Sequence, residues 1–259
     1  MLLVPFLLFF APPAQTADTH ERLGKSYEAN GQLEKAAAEY EQAIKLSPYE
    51  ESYYFEAAHV YLLRQQFDAA VKILARGCKI FDKSAQLALA LGVAYYGERR
   101  FADAANAFLR TIDIAPEVQQ PYVFLSKMLD QVIDRLPDIM RRFETWASAN
   151  PSDALAQFVF AKGLLVGGGD QAKAEKLLRD SIGLKGDQWE SHYELGVLLE
   201  KQRKLPEAAT ELERSIAINA NQADVHYHLS RVYDRLGQPD KAVEQRGIHQ
   251  RLTTQGGVK

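Results

Sequence analysis

Cysteine is nearly missing from this chain: Cys78 is the single one in 259 residues. No intrachain disulfide can form, and so lone a thiol neither supports nor excludes an oxidising compartment. It reads as a small buried hydrophobe and not as a reactive group. An excess of charge of one sign is missing too, with 31 Lys and Arg against 34 Asp and Glu and a net charge of −3. With no run of Lys and Arg either, the chain offers no electrostatic footprint for nucleic acid. Catalytic groupings are equally scarce, because nothing resembles a nucleophile paired with its base. Gly167-Gly168-Gly169 follows no strand and precedes no lysine-serine or lysine-threonine pair, so it reads as a flexible turn and not a phosphate loop. His226 and His228 are two apart on a helix and point to different sides, while His192 lies one repeat before His226. These histidines read as packing or surface residues, and no cofactor or metal is expected. Hydrophobic residues make up 47% and charged residues 25% of the chain, the balance of a soluble globular protein with a sizeable core.

What the chain does have is a clock. Ala36, Ala70, Ala104, Ala174, Ala208 and Ala242 are spaced 34, 34, 70, 34 and 34 residues apart, and the 70 is two periods plus two residues. Leu23-Gly24 with Tyr27 recurs as Leu91-Gly92 with Tyr95, and again as Leu195-Gly196 with Leu199. Seven units follow, starting near Ala17, Glu51, Ala85, Gln119, Leu155, Trp189 and Ala223. The fourth is irregular: it lacks the alanine, is assigned both extra residues, and carries Pro137, Phe143 and Trp146.

Apolar residues in the first unit fall at Leu23 and Tyr27, then at Leu33, Ala36, Ala37, Tyr40, Ala43 and Ile44, which is helical and not strand spacing. Asn30-Gly31 separates the two groups, and Gly169 and Gly237 take the equivalent place in their units. Glycine there suits the left-handed residue that ends a helix. Pro206 and Pro239 lie just beyond, where a missing amide donor costs little. Each unit is therefore expected to be a helix hairpin whose recurrent alanine lets the second helix approach the first.

This 34-residue pattern resembles the tetratricopeptide repeat family across almost the whole chain. The resemblance implies an all-α, right-handed superhelical solenoid of about seven hairpins over residues 18–256, with a non-catalytic role in binding proteins. One hairpin cannot bury its own apolar face, whereas stacked neighbours share a core. In the family the first helix of each unit lines a concave surface through its positions 2, 5, 6, 9, 12 and 13. Carried over, these give partner-binding candidates Phe55, His59, Leu62, Leu89, Val93, Tyr96, Val123, Phe124, Lys127, Phe160, Tyr193 and Arg231. The implied groove is apolar in the middle and charged at its ends, suited to a protein or peptide segment with apolar anchors. A more filled interior, or a face for homo-oligomeric self-association, is the alternative. The family's carboxylate clamp is not matched, since Glu21, Glu56 and Ala90 stand where it needs lysine or asparagine.

Leu2 to Ala11 is an apolar run too short to cross a bilayer easily, followed by Pro12-Pro13-Ala14. It reads as a signal peptide over residues 1–17, although no lysine or arginine precedes the run, so the signal is atypical or the start lies upstream. Export to a periplasmic or secreted location is expected, or membrane association through this segment if it stays uncleaved. An apolar strand packed on the first repeat is the other reading. At the far end, the polar helix after Ala242 suits a cap, and residues 257–259, with the stretch from Thr253 leading into them, are expected to be a disordered tail.

Overall fold

The computed structural model describes residues 16–256, with side chains described through Thr254. The expected signal segment lies outside the described residues except at Thr16 and Ala17, and the tail 257–259 lies outside them too. The described residues form fourteen α-helices and no strand. Consecutive helices pair as α1 (Ala17–Ala29) with α2 (Leu33–Leu46), α3 (Glu51–Leu63) with α4 (Phe67–Ile80), and α5 (Ala85–Gly97) with α6 (Phe101–Ile114). After α7 (Gln120–Lys127) and α8 (Leu136–Ala149) come α9 (Ala154–Val166) with α10 (Gln171–Leu184), α11 (Trp189–Lys201) with α12 (Leu205–Ile218), and α13 (Ala223–Arg235) with α14 (Pro239–Gly256). The chain divides after Pro121 into two compact units, each a stack of hairpins with its own core. Tyr40, Tyr54, Leu74, Leu87 and Phe108 fill the first core, and Tyr122, Leu125, Met128, Ile139 and Phe143 the second.

The clock has a physical cause. Every one of the six recurrent alanines is fully buried and stands fourth in its second helix. Facing glycines make the hairpin close: a Cβ on Gly24 would lie 2.7 Å from the Tyr40 ring, one on Gly92 2.5 Å from the Phe108 ring, and one on Gly196 2.7 Å from Leu212. Real Cβ atoms do not approach so near, so the large residue of the second helix packs directly over first-helix backbone. The fourth residue of the first helix ties the hairpin to the preceding loop. Tyr54 Oη donates to the Pro48 carbonyl at 3.1 Å, and Nε2 of His192 and of His226 meets the Gly186 and Ala220 carbonyls at 3.2 and 3.0 Å. Nδ1 of the same rings meets Glu211 at 2.7 Å and Gln245 at 2.6 Å. These histidines are packing residues with both nitrogens engaged.

Each regular hairpin turns through one residue at positive φ, two places after the first helix ends. Glycine serves at Gly31, Gly168 and Gly237, but Gln65, Arg99 and Arg203 take the same conformation at φ 56°, 60° and 63°. The next amide closes the turn on a carbonyl five residues back, as Arg100 N does on Tyr95 O at 2.9 Å and Lys204 N on Leu199 O at 2.9 Å. A side chain in this region costs about 1–2 kcal/mol, part of which the greater freedom of glycine in the unfolded chain cancels. The triple variant Gln65→Gly, Arg99→Gly, Arg203→Gly is expected to gain about 1.5–3 kcal/mol, read as a raised urea midpoint. A lowered midpoint would show that these turns are held by more than their dihedrals.

The two extra residues are not both in the fourth unit. One is there and the other is in the glycine turn of the fifth, where three residues instead of two carry the chain from the positive-φ position to the second helix. Thus α9 starts at Ala154 and not at Leu155, capped by Asp153, whose Oδ1 accepts from Leu155 N at 2.8 Å and Ala156 N at 3.2 Å. The left-handed glycine is accordingly Gly168 and not Gly169. In the fourth unit the first helix stops after eight residues and continues as two 3₁₀ turns, Leu129–Gln131 and Ile133–Arg135. Antiparallel packing sets the start of a second helix against the end of its first, and beyond Lys127 that end is 3₁₀ and not α-helical here. Ile139, fourth in α8, fills the room that alanine leaves empty of side chain elsewhere. Tyr122 stacks on Trp146 at 4.1 Å to hold α7 and α8 together.

Near the end, α14 extends through Gly256, with Thr253 Oγ1 donating to the His249 carbonyl at 3.0 Å. Helix therefore continues past Thr253, where the tail was expected to begin.

Candidate functional site

In the first unit the first helices present a half-buried strip of apolar side chains. Phe55 and Leu62 come from α3, and Leu89, Val93 and Tyr96 from α5, each with part of its surface open to solvent. Leu63, at the end of α3, is one of the exposed large hydrophobic residues. The Phe55 ring lies parallel to the His59 ring with centroids 6.2 Å apart, and Tyr96 meets Phe101 edge-on at 5.7 Å. All six candidates from α3 and α5 thus lie on half-buried positions of adjacent first helices.

Beside them stands an acidic group drawn from two neighbouring first helices. Glu28, on α1, accepts from Tyr40 Oη at 3.0 Å through Oε2 and meets His59 Nδ1 at 3.1 Å through Oε1. Glu56 shares the spot, and burial, reinforced by the Glu28 charge, pushes its carboxyl above the usual range. The last turn of one first helix therefore reaches the middle of the next. That offset was readable in principle, from the twelfth residue of unit one and the sixth and ninth of unit two, but histidines weighed singly do not show it.

The second unit differs from the expected strip. Val123 and Phe124 are half-buried on α7, and Lys127 is exposed at its end. In α9, however, Phe158 and Val159 are buried and Phe160 is only 4% exposed, its ring lying under the Lys173 ammonium at 4.6 Å. Phe160 is packing, because the one-residue register shift turns α9 and puts Lys162 at the ninth position. The 3₁₀ turn at Leu129–Gln131 packs on α9. On α9 the position expected to be open is thus part of the packing.

Further along, the same face is ionic. Lys162 Nζ stands 3.4 Å from Glu194, whose carboxyl burial pushes up while Lys162 pulls it back. Glu200 is only 3% exposed and gathers three groups from α13: His228 Nδ1 at 2.8 Å, Arg231 Nη2 at 3.2 Å and Arg235 Nη1 at 3.5 Å. Tyr193 is half-buried with its ring edge-on to His228 at 5.8 Å, and exposed Arg231 lies 5.6 Å above the Tyr227 ring. Glu28 with His59 and Glu200 with Arg231 are one motif used twice, residue twelve of one unit meeting residue nine of the next. Cys78 is buried, and burial pushes its thiol up, away from reactive thiolate.

Hairpins on a 34-residue period, with half-buried faces built from first helices, define a helical-repeat scaffold for binding other proteins. Tetratricopeptide repeat models match residues 17–50, 164–224 and 223–245, and the chain is a tetratricopeptide repeat protein. No curated protein matches the sequence. Among solved structures, a tetratricopeptide repeat protein from Parabacteroides merdae is similar at TM-score 0.69 and 12% identity, over 91% of this chain and 93% of that one. A chain of the APC/C hetero-tetramer Cut9-Hcn1 is similar at TM-score 0.64 and 14% identity over 92% of this chain, which spans 46% of it. YrrB, described as a tetratricopeptide repeat protein with an unusual peptide-binding site, is similar at TM-score 0.55 and 15% identity, over 73% of this chain and 96% of that one. At such identities the likeness is one of fold. That fold typically serves as a non-catalytic interaction scaffold.

Proposed function

We propose that this protein is an adaptor or assembly factor acting outside the cytoplasm, and that the first-unit strip from α3 and α5 takes a helix or extended segment of a partner protein. The carrying observation is that Phe55, Leu62, Leu89, Val93 and Tyr96 remain partly open to solvent together, on one set of neighbouring helices. Such a strip offers apolar anchors a place to bury, and the acidic group at Glu28 and Glu56 beside it gives a bound segment its direction. The reading moves the binding face away from α9, where Phe160 is packing. Export rests on the composition of residues 1–17; among the described residues no helix is long and apolar enough to cross a membrane.

Crosslinked pull-down from native extract, comparing the chain with its Val93→Glu variant, tests the reading. A charge buried without a partner at the strip is expected to cut capture of the specific protein at least about tenfold while helicity is kept. Equal capture by both would remove the strip as the binding face. Recovery of the bait crosslinked only to itself, and lost in the variant, would make the strip a self-association face instead.

A further inference from the structure

We propose that Glu28, Glu56 and His59 form a divalent metal site of the zinc type that joins the first two repeats. One donor atom from each residue lies within 4.8 Å of the other two. Glu56 and His59 sit three apart on α3 and so share a face of that helix, while Glu28 comes from the last turn of α1. The chemistry is an imidazole and two carboxylates, a donor set that suits zinc and neighbouring first-row ions, with a position left open for water or a partner's side chain.

The site is half-assembled already. His59 Nδ1 and Glu28 Oε1 stand 3.1 Å apart, close to the edge of about 3.3–3.4 Å in a tetrahedron with arms of about 2.0–2.1 Å. Glu28 is oriented from outside the ligand set, since Tyr40 Oη holds its other oxygen at 3.0 Å. The His59 ring is steadied against Phe55. Glu56, the ligand that must move, is held by no hydrogen bond or ion pair among the described residues, and with all three donor atoms within 4.8 Å of one another a shift of at most about 1.5 Å closes the set. On binding, the proton that Nδ1 shares with Glu28 leaves to solvent, the metal takes the freed Nδ1 lone pair, and the neutral ring carries its one proton on Nε2. Lys25, whose charge also acts on Glu56, is ion-paired with Glu21 at 2.6 Å.

The experiment is calorimetric titration of the full chain, stripped with EDTA, with zinc chloride at neutral pH, backed by the visible spectrum on adding cobalt(II). One zinc per chain is expected, with a raised melting midpoint and a cobalt spectrum of low coordination number. His59→Ala and Glu56→Gln are each expected to weaken binding by at least about tenfold, and Tyr40→Phe by about tenfold through the orientation of Glu28 alone. Far-UV circular dichroism establishes that each variant is folded, and Glu56→Gln, the least disturbing in shape, decides if another is not. No binding by the full chain, or equal binding by the chain and the folded variants, overturns the site; equal binding would place the zinc on other histidines. Partner capture repeated in EDTA keeps this test separate from the strip, because the strip can fail or hold whether or not zinc binds.

Discussion

Replacing Ile139 with alanine is expected to lower stability by about 2–5 kcal/mol, even though alanine is what every regular unit carries at the same place in its second helix. Ile139 is fully buried, and its neighbourhood is shaped by a first helix that ends at Lys127 and runs on as 3₁₀ turns. Restoring the family's alanine does not restore the family's hairpin; it leaves a cavity where α7 has no final turns to fill it. For a chain of this size the loss corresponds to a fall of about 4–20 °C in the melting midpoint of the cooperative step that reports the second unit. A melting curve unchanged by Ile139→Ala would mean that α7 can extend to regular length, and that the irregular fourth unit is not a packed feature.

Gly92→Ala is expected to cost about 1–3 kcal/mol by overpacking, whereas Gly247→Ala, the same change in another helix, is expected to gain about 0.5–1 kcal/mol. Alanine favours a helix over glycine at both places, so only the surroundings differ. The new Cβ at Gly92 meets two Phe108 ring carbons at 2.5 and 2.6 Å, and Phe108 is fully buried with nowhere to withdraw. At Gly247 nothing lies within 4 Å. Urea unfolding of the two variants beside the parent chain checks the pair. Opposite signs support glycine 92 as a packing necessity, and a gain at both would show that the α5–α6 interface can open without loss.

The hairpins were legible because their causes are local and repeated. Alternation of apolar residues at helical spacing, Gly31 and Gly237 at the turns, and alanine beneath the second helix each act within a few residues, and their recurrence removed ambiguity about the period. Where the frame was regular, the placement of residues on first helices was legible: the candidates on α3 and α5 all lie on half-buried positions. It failed on α9. An α-helix turns about 100° per residue, so assigning one extra residue to the wrong unit exchanges a surface position for a core one. That is how Phe160 came to be expected on an open face, and Asp153 as a helix cap was the local signal for the correct start.

By itself, then, the sequence determined the repeat, the hairpin and the kind of protein, since these follow from short-range preferences stated several times over. Tertiary structure alone decided the rest. It divided the two extra residues between the fourth unit and the glycine turn of the fifth, laid the Leu129–Gln131 turn on α9, and set Glu200 among His228, Arg231 and Arg235. It also brought Glu28 to Glu56 and His59. Each of these is a meeting of residues from different helices, and the rotation of a helix is fixed by what it packs against and not by its own sequence period.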